Sequence, residues 1–326
     1  MKVLVTGGGG FIGSHLCERL LSDGHQVFCL DNFITGRREN IKHLLKNKNF
    51  SLIEADVTKE SIKYQVSSIE YLFHLASPAS PFDYQKYPIK TLMANSLGTY
   101  NMLEAARKNK AKFLLASSSE VYGDPQEHPQ KETYWGSVNS IGPRSCYDEA
   151  KRFAEALTMS YFRKFDLDIR IIRIFNTYGE RMRADDGRVI STFINQALKG
   201  KALTVFGDGS QTRSFCYISD TVEGLIAAMF KENIKGKVLN LGSPQEVRII
   251  ELAKIIKRLT KSRSEIQLTE LPVDDPRKRK PDITKAKKLL NWQPKVTLEE
   301  GAKRTIEYYR NVNRSSLPKC PNHEGC

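Results

Sequence analysis

Four glycines in a row, Gly7 to Gly10, with a fifth at Gly13, follow directly on the short apolar run Lys2-Val-Leu-Val-Thr6. After them comes an amphipathic segment, Ser14 to Ser22, with helical spacing. Strand, glycine turn and helix in that order allow few folds. The turn must let a backbone approach closely, and the helix start then offers bare N–H groups to an anion. Two registers fit: Gly8, Gly10 and Gly13 spell G-x-G-x-x-G, and Gly7, Gly10 and Gly13 spell G-x-x-G-x-x-G. Either register predicts a dinucleotide pyrophosphate at this turn. The plainer alternative, a flexible turn, does not call for so many glycines.

The rest of the chain extends that beginning into an α/β fold. Strands are predicted at Gln26–Leu30, Phe50–Glu54, Ile69–His74, Lys112–Ser117 and Ile169–Ile174, and a last one returns at Val238–Leu241. Helices are predicted at Ile89–Asn109, across Tyr147–Lys151, at Val189–Lys199, from a Ser219-Asp220 cap to Phe230, at Arg248–Thr260 and through much of Ile283–Arg310. Strands alternating with helices argue a Rossmann-type, doubly wound parallel sheet. After Asn176 the strands shorten and turn residues thicken. Residues 1–176 therefore read as the dinucleotide-binding domain, with the strand near 238–241 rejoining it. Residues 177–314 read mainly as a smaller, interleaved substrate lobe, and 315–326 as a loose tail.

Composition narrows the function classes. With 40% hydrophobic and 27% charged residues, the 326-residue chain is expected to be globular. No apolar run approaches a bilayer span of ~18 residues. The net charge of +14 raises nucleic acid as a partner. Much of the excess sits in Arg277-Lys-Arg-Lys280 and Lys285 to Lys288, where no aromatic residue is interleaved for base stacking. A solvated face and a pole for an anionic small molecule fit better, so no nucleic-acid partner is expected. The six cysteines, at 17, 29, 146, 216, 320 and 326, form no Cys-x-x-Cys, and most sit in apolar or motif stretches. That is the usage of reduced thiols, which suits a cytoplasmic protein. Cys320, His323 and Cys326 supply three ligand types on a terminus, where a frayed end is the simpler reading; no metal is expected.

Chemistry enters with Tyr147-Asp-Glu-Ala-Lys151. A tyrosine and a lysine four apart on a helix share a face. The ammonium is expected to favour the phenolate and so make a base for an alcohol proton. Such a base partners a nicotinamide, which takes hydride as the proton leaves. Asp31, 18 residues beyond Gly13, is placed to accept from a ribose 2′-hydroxyl, which argues for NAD. Arg37 and Arg38 close behind would tolerate a 2′-phosphate. Asp56 and Val57 lie where an adenine edge is reached. Ser118 and Glu120 leave the end of the fifth strand together, and His74 reads as a core histidine at a strand end.

On these residues the chain resembles the extended short-chain dehydrogenase/reductase superfamily and, within it, the UDP-glucuronic acid decarboxylase family, also called UDP-xylose synthases. The resemblance runs from Lys2 to about Arg310. It is carried by His74-Leu-Ala-Ser-Pro-Ala-Ser-Pro81, Ser119-Glu-Val-Tyr-Gly-Asp-Pro125, Gly142-Pro-Arg-Ser-Cys-Tyr-Asp-Glu149, Arg173-Ile-Phe-Asn176, Asp186-Gly-Arg-Val189, Gly209-Ser-Gln-Thr-Arg213 and Asp275-Pro-Arg-Lys-Arg-Lys-Pro-Asp-Ile283. It implies NAD-dependent conversion of UDP-glucuronic acid to UDP-xylose and CO2 through a 4-keto intermediate, with NADH retained and reused. It assigns catalysis to Tyr147, Lys151, Ser118, Glu120 and Arg277. It places the cofactor on Gly7, Gly10, Phe11, Ile12, Gly13, Asp31, Asn32, Thr35, Gly36, Asp56, Val57, Leu75 and Ala76, beside Tyr147 and Lys151. The sugar nucleotide falls to Asn176, Arg181, Val189, Gln211, Arg213, Arg248 and Arg277. Glu120 has a plainer reading as a cap partner, Arg277 as one charge in a basic run, and Ser118 as a backbone-bonding hydroxyl.

Relatives often carry Thr where this chain has Ser118, and the hydroxyl survives the change. Many carry a membrane anchor ahead of the first strand; this chain, opening on that strand, is expected to be free of membrane attachment. A homodimer built from the helices near Ile89–Asn109 and Ser145–Arg163 is implied as well. Rival readings are an oxidative decarboxylase that releases NADH and the 4-keto pentose, a 4,6-dehydratase, a 4-epimerase, and a non-catalytic protein that binds NAD or RNA. Ser119-Glu120 lacks the Asp-Glu pair of the dehydratases, and the complete Ser118, Glu120, Tyr147 and Lys151 set speaks against a non-catalytic scaffold.

Overall fold

A computed structural model describes residues 1–60, 67–271 and 277–315. Of the expected tail 315–326, Ser315 ends a helix, and residues 316–326, with Cys320, His323 and Cys326, lie outside the described residues, as do Asp275 and Pro276. Seven parallel strands form the main sheet: β1 (Lys2–Thr6), β2 (Gln26–Asp31), β3 (Phe50–Glu54), β4 (Tyr71–His74), β5 (Lys112–Ser118), β6 (Ile169–Ile174) and β7 (Lys237–Leu241). Their order is β7-β6-β5-β4-β1-β2-β3. Val3 to Val5 and Ile169 to Ile172 are buried on both faces, as a sheet covered by helices on each side requires. The chain moves outward from β1 in opposite directions, to β2 and β3 on one side and to β4 and β5 on the other. The crevice between β1 and β4 is thus the switch point where ligands of such sheets bind.

β7 pairs with β6 in parallel, from Lys237↔Arg170 to Leu241↔Ile174. The second lobe is therefore interleaved with the first. Among the described residues it holds three small sheets beside its helices: Thr177–Tyr178 with Cys216–Tyr217, Leu203–Phe206 with Ile266–Thr269, and Thr212–Ser214 between Glu246–Arg248 and Lys278–Arg279. In the last of these, Arg279 is paired with Arg213.

Some helix boundaries differ from expectation for identifiable reasons. The segment expected as one helix from Ile89 to Asn109 is Pro88–Met93 and Thr99–Asn109 joined by a π turn, Ala94–Gly98. A side chain at Gly98 would strike Val57 Cγ2 at 2.7 Å, so the turn is packed against the loop after β3. Ser219 and Asp220 do not cap the helix to Phe230, which begins at Ile218 without a side-chain cap. Asp220 instead accepts from the backbone N–H groups of Lys295 and Val296, fastening the segment ahead of the C-terminal helix Leu298–Ser315. The stretch 283–310 divides into Thr284–Leu290 and that C-terminal helix. Among the described residues no helix is long and apolar enough to cross a membrane.

Candidate active site

One cavity of about 1080 Å³ runs along the carboxyl ends of the strands and continues under the second lobe. At its dinucleotide end the glycines are required by contact. A Cβ on Gly13 would lie 2.1 Å from the Gly7 carbonyl oxygen, and one on Gly7, whose φ is +72°, would lie 2.9 Å from the Ala76 nitrogen. Gly10 begins the helix Phe11–Ser22 with no side-chain cap and no acidic residue in its first turn. The resulting bare N-terminus fits a pyrophosphate. Gly13→Ala is expected to abolish NAD binding, because its methyl group must displace the Gly7 peptide; titration of the variant with NAD by calorimetry checks this.

Asp31, at the end of β2, lines the same cavity. Its carboxylate accepts from the Gly9 N–H at 2.9 Å and the Phe33 N–H at 2.7 Å, while burial pushes its pKa up. Each oxygen retains acceptor capacity toward a ribose hydroxyl. Arg38 pairs with Glu54 and lies over the Phe33 ring. All the expected cofactor residues, including Asn32, Thr35, Gly36, Asp56, Val57, Leu75 and Ala76, line this cavity. His74 is buried and bonds Thr6 Oγ1 at 2.8 Å and Thr99 Oγ1 at 3.1 Å, and burial pushes its pKa down to about 3. It is thus a neutral tie between β1, β4 and a helix.

At the centre of the cavity β5 ends in Ser118 and the helix Ser145–Phe165 presents Tyr147 and Lys151. The Ser118 hydroxyl accepts from the Glu120 N–H at 3.2 Å and lies close enough to the Tyr147 phenol to favour its ionised form. Lys151 is buried and donates to the Ala116 carbonyl at 2.9 Å; its Nζ is 5.7 Å from the Tyr147 ring centroid. Burial lowers its pKa to about 8. The expectation that Lys151 by itself makes Tyr147 acidic does not hold in this structure. Burial pushes the Tyr147 phenol up to about 12, with only partial relief from Ser118. The ammonium is engaged by a carbonyl and stands off the ring, so desolvation outweighs it.

Around this core lies a polar ring that sequence reasoning overlooks in part. Glu120 is held between two guanidiniums: Arg144 Nη2 donates to its Oε2 at 2.5 Å and Arg279 Nη1 to its Oε1. These cations hold its carboxyl well below the usual carboxylate range despite burial. Arg279 also donates to the Gly123 carbonyl at 2.8 Å and is buried. Tyr84 stacks on Tyr147 with centroids 5.1 Å apart and planes 8° from parallel. Its hydroxyl is buried without a hydrogen-bond partner, although the residue lines the cavity.

Two expected substrate residues fall elsewhere. Arg277 is exposed at the entry to strand Lys278–Arg279, does not line the cavity, and is tied through its N–H to Asp124 Oδ1. The arginine that this strand buries against Glu120 is Arg279, two residues on. The basic run conceals the difference, because four consecutive cations give no sequence signal of which one turns inward. Arg248 is exposed at the start of helix Ile249–Thr260, where it pairs with Glu251. It caps the outer edge of its small sheet and does not reach the cavity. Asn176, Arg181, Val189, Gln211 and Arg213 do line it. Arg181 has a left-handed φ of +63° and pairs with Glu18 on the first helix, so it also joins the two lobes. Among the described residues no three His, Cys, Asp or Glu side chains gather as a metal site.

Serine, tyrosine and lysine converging at the switch point beside a glycine cradle put the chain in the class of short-chain dehydrogenases/reductases. The comparisons are narrower. The GDP-mannose 4,6 dehydratase family description matches residues 4–305. UDP-glucuronic acid decarboxylase 1 of Danio rerio is 52% identical over 98% of this chain and 76% of its own length. UDP-glucuronic acid decarboxylase 6 of Arabidopsis thaliana is 51% identical over 98% of this chain and 91% of its own. The chain belongs to the UDP-glucuronic acid decarboxylase family, within the broader dehydratase-type family. Among solved structures, UDP-glucuronic acid 4-epimerase from Bacillus cereus, in complex with UDP-glucuronic acid and NAD, superimposes with a TM-score of 0.87 at 32% identity, covering 96% of this chain and 100% of that one.

Proposed function

We propose that the chain decarboxylates UDP-glucuronic acid to UDP-xylose and CO2 with NAD held throughout the cycle. The observation that carries this reading is the ionised Glu120 between Arg144 and Arg279, set beside Ser118, Tyr147 and Lys151 in one cavity. NAD, which the glycine turn, Asp31 and Lys151 would hold, would supply the acceptor and later the donor of the C4 hydride. Tyr147 takes the C4 hydroxyl proton; its phenol, which burial holds high, would be lowered by the cationic nicotinamide ring of NAD and by Lys151. Ser118 donates to the C4 oxygen. A ketone at C4 lies β to the C5 carboxylate, so CO2 leaves as its electrons pass into an enolate whose oxygen Ser118 and Tyr147 stabilise. Glu120 and Arg279 line the cavity beside Tyr147; Glu120, being ionised, holds the water that gives C5 its proton as the enolate returns to the ketone, and Tyr147 gives its proton back to the C4 oxygen when that ketone is reduced. Asn176, Gln211 and Arg213 hold the UDP portion with amide and cationic donors.

The test is incubation with UDP-glucuronic acid and catalytic NAD, following CO2, NADH absorbance and the sugar nucleotide. UDP-xylose without accumulating NADH is expected. Stoichiometric NADH with a 4-keto pentose would transfer the protein to the oxidative decarboxylases.

A homodimer in the cytoplasm belongs to the same proposal. Cys17, Cys29, Cys146 and Cys216 are buried, unpaired thiols, as suits a reducing compartment. Ile89, Leu92, Met93, Leu97 and Tyr100 leave an apolar face exposed on helices Pro88–Met93 and Thr99–Asn109 and the turn between them, and Phe153 does so on Ser145–Phe165. An apolar face of this extent calls for a cover, and a second copy supplies the matching one. Tyr100→Glu combined with Phe153→Glu is expected to yield monomers in light scattering after size exclusion.

A further inference from the structure

Asp148 follows Tyr147 in the chain and is buried, yet its Oδ1 has no hydrogen-bond partner. Its Oδ2 stands 3.9 Å from Arg144 Nε, one helical turn back. The same guanidinium donates from Nη2 to Glu120. Arg144 therefore has a carboxyl group on each side: Glu120 at the cavity wall and Asp148 behind it in the first turn of the helix. The Arg144 guanidinium also lies 6.0 Å from the centroid of Tyr84, the ring stacked on Tyr147. We propose that Asp148 is a positioning residue that governs where the Arg144 guanidinium stands, and through it the preference of the site for an acidic sugar over a neutral one. The proposal rests on UDP-glucuronic acid being the substrate.

The electrostatics give the device a direction. Asp148 faces Arg144, Tyr147 and Glu149 from its own helix and that helix's start, Glu120 from beyond β5, Arg279 from the second lobe and Tyr84 from the helix Pro81–Lys86. Burial and the Glu120 charge push its carboxyl up to about 7, against the pull of Arg144 and Arg279. Below that pH Asp148 is neutral, and Glu120 is the one charged carboxylate on Arg144 among these groups. Above it, Asp148 is an anion that competes for the guanidinium and repels an incoming sugar carboxylate. A neutral hexose in the same place feels neither effect.

The holoenzyme provides the test: KM and kcat for UDP-glucuronic acid, and the inhibition constant of UDP-glucose against it, at pH 6 and pH 8. In the wild type KM should rise about tenfold between the two, as a charge added within a few ångströms in partly screened surroundings implies, while the UDP-glucose constant stays level. Asp148→Asn should hold KM low at both pH values with kcat within about threefold of the wild type at pH 6, as expected for a residue that acts through another. Asp148→Glu should restore the rise. A KM rise that persists in Asp148→Asn overturns the proposal. So does an equal rise for UDP-glucose, or loss of kcat in Asp148→Asn at both pH values. Should Asp148→Asn not fold, Asp148→Glu decides alone, and a level KM in that variant overturns it. Failure of the wild type to turn over UDP-glucuronic acid would instead overturn the reading of the reaction.

Discussion

Tyr147→Phe is expected to lose turnover by about 10³-fold or more while still binding NAD, in the upper range of effects for removing a positioned acid–base group. The substitution deletes one oxygen. The ring stays on Tyr84, Lys151 keeps its bond to the Ala116 carbonyl, and the glycine cradle lies elsewhere. The fold should therefore persist, and only the phenol's interaction with Ser118 is lost. Single-turnover measurement of NADH and CO2, beside NAD affinity, separates the two effects. Full activity in this variant would withdraw the base from Tyr147. Loss of NAD affinity would mean that the phenol holds the cofactor as well as the substrate.

The second large effect distinguishes two arginines two residues apart. Arg279→Gln should lower kcat/KM at least about 100-fold and reduce stability, because it leaves the buried Glu120 carboxylate with Arg144 alone; the loss should fall below the cost of breaking a buried pair outright, about 3–5 kcal/mol. Arg277→Gln, at an exposed position, should leave kcat/KM within about twofold and stability within about 0.5 kcal/mol. Denaturant unfolding measured beside kinetics separates the terms. The double variant Glu120→Gln with Arg279→Gln should be no more stable than Arg279→Gln, since it takes the Glu120 carboxylate from Arg144 as well, and should regain none of the activity. Equal losses at 277 and 279 would mean that substrate binding draws the exposed arginine inward.

Much of this protein was legible before its structure. The glycine turn, the acid closing the second strand and the tyrosine–lysine spacing each follow local rules. Backbone approach demands glycine, a strand end aims its last residue into the crevice, and four residues make one helical turn. Strand positions followed from apolar runs, and even the return of 238–241 to the sheet could be read from its Val-Leu-Asn-Leu pattern. Element edges were less legible. The π turn at Ala94–Gly98 sets Gly98 against Val57, and Asp220 turns from its own helix to the N–H groups of Lys295 and Val296. Neither contact has a local signature.

By itself, then, the amino-acid order determined the class of fold, the glycine turn and the tyrosine–lysine pair, because each depends on residues near one another in the chain. Tertiary structure alone decided which member of a basic run turns inward. Arg279 is chosen over Arg277 by a strand pairing with 212–214 and by Glu120, 159 positions away. It also decided the protonation of the site. Glu120 ionised, Asp148 poised near neutrality and Tyr147 raised all follow from burial and from charges brought together across the two lobes. Desolvation and Coulomb forces act through space, and sequence distance carries no record of them.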